Sequence, residues 1–401
     1  MKKQFRASYK FTLTSVLLMA VISSTAVSDD PLAIWREGVN VHPVSEQPGQ
    51  HTIHTYYLTN PESPDGSKVL FYTSTTAEGH HGDLVVRDRG TGEEIVIVRD
   101  IDTEDAHRAA CQLWISRGKR VAYHDVKDNR WSVHVVNVDT LADRKLADDR
   151  QLCFGPAGGD VVPIYGCHWN PGTHRNLELL NVDTGEITTA LAISDVERRD
   201  GDWLAKQFGG RPTSIFFPNV SPDGNRVFFK MAAQGTEGAL NNFRSKKASD
   251  RQGLFVYDLT TKQPVWMRAK WGHPAWHPDS NKIIEVGNIL FDLEQNGSMI
   301  RMPSLPNLRG NHLSISPDGR LFVMDGLIDT LGGTNNQWGV VVCDMRGGQF
   351  KVLHRFDNSH GARSWRKNHP HPVFSADGRR IYFNVNEGPW TQLLVAEAAE
   401  K

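Results

Sequence analysis

A turn of the form Ser-Pro-Asp-Gly, followed by a basic residue and an apolar strand, recurs along the chain and limits what it can fold into. It stands as Ser63-Pro64-Asp65-Gly66 ahead of Val69-Leu70-Phe71-Tyr72, and again as Ser116-Arg117-Gly118-Lys119 and Ser221-Pro222-Asp223-Gly224. Further copies are His277-Pro278-Asp279-Ser280, Ser316-Pro317-Asp318-Gly319 and Ser375-Ala376-Asp377-Gly378. The gap of 105 residues before Ser221 is two units long and hides a degenerate copy near Gly158-Gly159-Asp160, so the count is seven. A second phrase, an apolar strand that usually runs into an Asp-containing turn, also occurs seven times, from Leu84-Val85-Val86-Arg87-Asp88 to Leu393-Leu394-Val395-Ala396. Short alternating strands at a period of about 40–50 residues indicate blades that cannot bury their own faces and stack around a channel. The expected fold is all-β, a seven-bladed β-propeller. The segment around Leu32 to Val41 is expected to supply the last blade's missing edge strand, and Asp195 to Phe208 is the best helix candidate.

The first 28 residues follow another pattern. Lys2, Lys3, Arg6 and Lys10 precede an apolar run from Val16 to Ile22 and small residues ending Ala26-Val27-Ser28. This is the form of a secretory leader cut before Asp29, so the expected organisation is a signal peptide over 1–28 and one propeller over 29–401. No other apolar stretch approaches the roughly 20 residues that a membrane span requires, and the expected location is periplasmic or secreted. The whole chain carries 45 Lys and Arg against 46 Asp and Glu. Without the leader 41 basic residues remain, a net of −5, which argues against a nucleic-acid partner. Export permits disulfides among Cys111, Cys153, Cys167 and Cys343. A Cys153–Cys167 bridge would close a short loop, but the spacing leaves the pairing open. The chain has no CxxC pair for a cysteine zinc site.

Equivalent positions in a propeller occupy equivalent places. Four residues before each turn lie Thr59, Gln112, Phe217, His273, His312 and His371. That position is expected to begin the innermost strand, which lines the channel. Three consecutive blades therefore offer a histidine at one radial position, and His369, two residues before His371, shares its face. Converging neutral imidazoles suit zinc, manganese or copper better than calcium; the competing reading is a polar lining that binds water. His54 and His107 each lie nine residues before their turns and are candidates for the channel mouth. Trp365 and Trp390 are candidates to flank a sugar. No GxSxG, Walker loop or dinucleotide fingerprint occurs.

The phrase Asn368-His369-Pro370-His371-Pro372-Val373-Phe374-Ser375-Ala376-Asp377-Gly378 resembles the closing motif of the oligogalacturonate lyases, a family of seven-bladed propellers. Asn311-His312-Leu313-Ser314, Gly272-His273-Pro274-Ala275-Trp276 and His54-Thr55-Tyr56-Tyr57 are similar to other blades of that family. The resemblance implies β-elimination on uronate oligosaccharides with a divalent metal, manganese in the family and zinc as the alternative. By the same resemblance His273, His369 and His371 match its metal histidines, Arg175 its substrate-neutralising arginine, and His312 a further histidine. Two positions depart from the pattern. Arg366 stands where the family has a glutamine ligand, and would instead bind the acidic substrate. Phe217 stands where the family has its base, which leaves His54, His168 or a water on the metal for that task. Two other functions compete: a non-catalytic envelope scaffold, and a metal-dependent hydrolase using the same histidines.

Overall fold

Each Ser-Pro-Asp-Gly phrase builds the tight turn between the first two strands of a sheet. In the copy at Ser221 the hydroxyl donates to Asp223 Oδ1 at 2.6 Å and accepts from Arg226 N at 2.9 Å. The copies at Ser316 and Ser375 repeat both bonds. Gly224, at φ 78°, takes a left-handed conformation that costs a side-chain-bearing residue more. The sequence repeats because the turn chemistry repeats.

The computed structural model describes residues 30–235, 243–308, 310, 312–334 and 336–399. The expected leader and its cut before Asp29 lie outside them. The described chain forms seven four-stranded antiparallel sheets, a seven-bladed β-propeller. Six blades use consecutive strands. Blade 1 begins at His51–Ile53, blade 2 at Leu113–Ile115, blade 3 at Arg150–Leu152, blade 4 at Thr213–Val220, blade 5 at Ala275–Trp276 and blade 6 at Leu313–Ile315. Blade 7 takes Val373–Phe374, Arg380–Val385 and Gln392–Ala398 from the end of the chain and Val39–Pro43 from its start. The expected closing strand is therefore present, shifted a few residues toward the C-terminus. Leu32 and Trp35, ahead of it, are buried against Phe374 and neighbouring apolar residues.

Second strands such as Lys68–Ser74 are buried along nearly their whole length and read as continuous apolar runs, because both faces meet neighbouring blades. Outer strands such as Glu94–Asp102 bury little, here only Ile97 and Ile101. Between blades 1 and 2 the core is built from Leu70, Tyr72 and Leu84 against Trp114, Val121 and Tyr123. Each such side chain contributes roughly 1.5–3 kcal/mol by leaving water. Blades 1 and 7 are also clasped by charge. Buried Glu62 accepts from Arg380 Nε at 2.7 Å and Nη2 at 2.9 Å, and from Tyr382 Oη at 2.5 Å.

Among the described residues the one long helix is Ile193–Phe208, two residues longer than expected, and it links blades 3 and 4. It buries Ile193, Val196, Leu204 and Phe208 and ends at Gly209, whose left-handed backbone donates to Ala205 O. No helix among the described residues is long and apolar enough to cross a membrane. All four cysteines are buried free thiols. Cys153 and Cys167 belong to separate apolar clusters, so the short-loop bridge does not form.

Candidate metal and substrate site

The innermost strands of blades 5 and 7 are two residues long, and that of blade 6 is three. The segments ahead of them leave the ladder early and carry His273, His312, His369 and His371 to one place. The His312 ring lies 4.3 Å from His371, 4.6 Å from His273 and 5.0 Å from His369 between centroids. A fifth ring joins them: His107, 4.5 Å from His371 and 4.9 Å from His369. His107, His312 and His371 offer ligand atoms that all lie within 4.8 Å of one another. The rings of His273 and His369 flank that trio.

Hydrogen bonds fix which nitrogens face the centre. Asp325, buried on the second strand of blade 6, accepts from His312 N at 3.0 Å, from His312 Nδ1 at 3.2 Å and from His371 N at 3.2 Å. With its proton held on Nδ1 by the carboxylate, His312 keeps a lone pair on Nε2. His107 Nδ1 is likewise 2.8 Å from Lys367 O, a contact only a donor can make. His371 holds a left-handed backbone, φ 48°, a strain of order 1–3 kcal/mol that the Asp325 bond helps to maintain. Asn384 supports the His-Pro-His segment from below, donating to His369 O at 3.3 Å and to His54 O at 2.9 Å.

His107 Nε2, His312 Nε2, His369 Nδ1 and both ring nitrogens of His371 are buried with no hydrogen-bond partner among the described residues. Burial, reinforced by neighbouring charge, pushes His107, His273, His312 and His371 well below the ordinary imidazole range, and His369 down to about 4. Neutral imidazoles with unused lone pairs are what a divalent transition metal requires, so the donor set fits one.

Beside the histidines, Arg108, Lys230, Arg251 and Arg366 line one small cavity with the rings of Tyr56 and Phe217. Among the described residues, the one ion pair these four cations make is Arg108 Nη2 with Glu104 Oε2, at 2.6 Å. Burial alone would raise the Glu104 carboxyl, but Arg108 and His168 hold it well below the usual range. Tyr56 belongs to both groups, for its ring lies 4.6 Å from His371 and 5.4 Å from Phe217. In blade 1 the innermost strand ends at Ile53, so Tyr56 and Tyr57 meet the histidines and the indexed Thr59 does not.

The other residues singled out in the sequence fall as follows. Arg366 lines the cavity. His54 is buried beside blade 7 and pushed down to about 3 by burial. His168 is buried, bonding Ser249 Oγ at 2.7 Å and facing Glu104 at 3.4 Å. Arg175 is turned to the connecting helix, donating to Thr213 O and to Glu197, and does not line the cavity. Trp365 donates to Glu104 O, and Trp390 packs against His51. Sequence reading missed Arg108, Lys230, Arg251 and Asp325. Lys230 left a trace there, as a lone charge inside the apolar run Val227-Phe228-Phe229-Lys230-Met231-Ala232.

No family profile matches the chain, and no curated protein matches it in sequence. Among solved structures it is similar to an oligogalacturonate lyase in complex with manganese, at 18% identity and a TM-score of 0.59, covering 90% of this chain and 94% of that one. An oligogalacturonate lyase from Vibrio parahaemolyticus matches over the same shares of the two chains at 13% identity and a TM-score of 0.60. A chain of the mitotic checkpoint complex matches at 11% identity and a TM-score of 0.50, covering 98% of this chain and 99% of that one. These likenesses show the fold. Propellers host many functions, so activity has to be argued from the site.

Proposed function

We propose that the chain is a metal-dependent lyase that cleaves uronate-containing oligosaccharides by β-elimination, working in the periplasm or as a secreted protein. One observation carries this reading: buried imidazole nitrogens without partners stand beside a cavity lined by three arginines and a lysine with one ion pair among them. Each orphaned polar group costs on the order of 1–3 kcal/mol, and like charges gathered around one cavity repel one another. A propeller serving only as a scaffold gains nothing from that arrangement, whereas an acidic sugar and a cation together satisfy it.

His371, His107 and His312 would hold the ion, with His273 and His369 beside them. Manganese is favoured by the likeness to a manganese-bound lyase, with zinc as the alternative. A bound divalent ion would draw electron density from the substrate carboxylate and acidify the neighbouring C5–H. The chain's own residues do the rest. Asp325 orients His312 and His371, and Arg366 and Arg251 meet further carboxylates of the sugar chain. The aromatic walls of Tyr56 and Phe217 keep water from competing for those charges.

The test is elemental analysis of the purified protein beside a His371→Ala variant, with near-ultraviolet absorbance followed on a panel of uronate oligosaccharides. Stoichiometric metal lost in the variant, with a rising absorbance from a new conjugated double bond, is the expected result. Metal with chain cleavage but no absorbance would mean hydrolysis, and a protein without metal would return the reading to a scaffold.

A further inference from the structure

We propose that Lys230 removes the C5 proton of the sugar in this elimination, an inference that rests on the lyase reading above. Lys230 lies on the strand Arg226–Gln234 and pairs with Phe216 of the innermost strand of blade 4. Its Nζ stands 4.0 Å from the centre of the Trp271 ring, and the side chain makes no hydrogen bond or ion pair among the described residues. The side chain is half-buried in the middle of an apolar strand, with no carboxylate bound to it. What it gains is a place in the cavity beside Arg108, Arg251 and Arg366.

Elimination among the cavity's groups leaves Lys230 as the base. Arginines stay protonated at any working pH. The Tyr56 phenol is pushed up to about 12, by burial before any other cause, and keeps its proton near neutrality. Lys230 behaves in the opposite way. Burial first, then the charges of Arg251, Arg366 and Arg108, drive its ammonium well below the ordinary lysine range, against the opposing carboxylate of Glu285. Glu285 is itself engaged by Arg268 and by Gly272 N. The remaining neighbour, His273, is pushed well below the ordinary imidazole range, by burial before any other cause. This environment favours the free amine that proton abstraction needs.

In the step, the neutral amine takes the C5 proton and becomes an ammonium. The C5–H electron pair becomes the C4–C5 double bond, and the C4–O bond breaks with its pair going to oxygen. That oxygen takes a proton from water, and the hydroxide left behind is neutralised by the ammonium. The amine is restored, and no oxidant or other reactant enters.

The full chain, loaded with manganese, would be compared with Lys230→Met, Lys230→Arg and Lys230→Cys. The Met and Arg variants should lose about 10²–10⁴-fold in kcat, the span of general-base catalysis. Metal content should stay unchanged, and the affinity for a uronate trisaccharide should hold within a few-fold. Alkylating the Cys variant with bromoethylamine rebuilds a lysine with sulfur in its chain and a more acidic ammonium. It should restore turnover and move the acid limb of the pH–kcat profile to lower pH, with identically treated wild type as control. Should the Met variant fail to fold, the Arg and alkylated proteins carry the same test. Arg or Met variants within a few-fold of wild type, or an unmoved acid limb in the alkylated protein, would overturn the assignment and leave the lyase reading standing. Wild type that yields no unsaturated product from any uronate oligosaccharide would overturn both.

Discussion

Replacing Asp325 by Asn removes one charge and exchanges one acceptor for a donor at a point where, among the described residues, three hydrogen bonds meet. The retained amide oxygen can still accept from His312 N, now 3.0 Å from Asp325 Oδ1. The new NH₂ group then faces His371 N and His312 Nδ1, which sit 3.2 Å from Oδ2. His371 N cannot accept, so a buried N–H is orphaned at a cost of about 1–3 kcal/mol. His312 can meet the amide only by moving its proton to Nε2, which removes the lone pair directed at the cluster. Losing an orienting partner of this kind weakens metal binding about 10–100-fold, or about 1.4–2.8 kcal/mol. Titration of manganese or zinc against a competing chelator measures the affinity, and urea unfolding without metal measures the fold. A folded Asp325→Asn protein that binds either ion as tightly as wild type would refute both the tautomer argument and the place of His312 among the ligands.

Three other outcomes are expected. Glu62→Gln weakens the clasp on Arg380, which keeps Asp377 at 2.8 Å, and should cost about 1–3 kcal/mol, read as a lower urea midpoint; an unchanged midpoint would show that the closing strand alone seals the ring. Arg366→Met should raise KM for uronate oligosaccharides at least tenfold and leave metal stoichiometry intact, because Arg366 lines the cavity and makes no ligand bond. Stability should fall on acidification. Buried histidines such as His369, near 4, and His54, near 3, take up protons on unfolding once the pH drops below the unfolded value of about 6.5. Their contribution is complete above that value and is lost toward the folded values. Each such histidine adds a slope of about 1.4 kcal/mol per pH unit, and urea midpoints at pH 7.5, 6 and 5 would check it.

The architecture was legible because four blades build the same turn from the same residues: Ser63, Ser221, Ser316 and Ser375 make the same pair of bonds. The degenerate third copy betrayed itself only as a double gap. The histidines of blades 5, 6 and 7 were legible for the same reason, since a repeat register becomes a radial position. Thr59 failed the register because blade 1 leaves its ladder at Ile53 and spends the following residues on Tyr56 and Tyr57. His107 and Arg108 sit in the connection before blade 2; His107 showed there only its place nine residues before the turn, shared with His54, and Arg108 showed nothing. Asp325 and Lys230 belong to second strands, whose inward charges were masked by apolar neighbours. Cooperation between blades 2, 4, 6 and 7 is a property of closure in three dimensions, and no window along the chain contains it.

That closure also sets a clock. Val39 pairs with Ala398 and Pro43 with Leu394, so the strand made first waits for the strand made last. At about 5–20 residues per second of synthesis the wait is roughly 20–70 s. Throughout it the ring is open, blade 7 lacks its outer edge, and Glu62 has neither Arg380 nor Tyr382 to meet. A nascent chain that cannot finish folding until its final residues emerge remains threadable for that whole interval, and once they arrive the two ends latch into a single sheet.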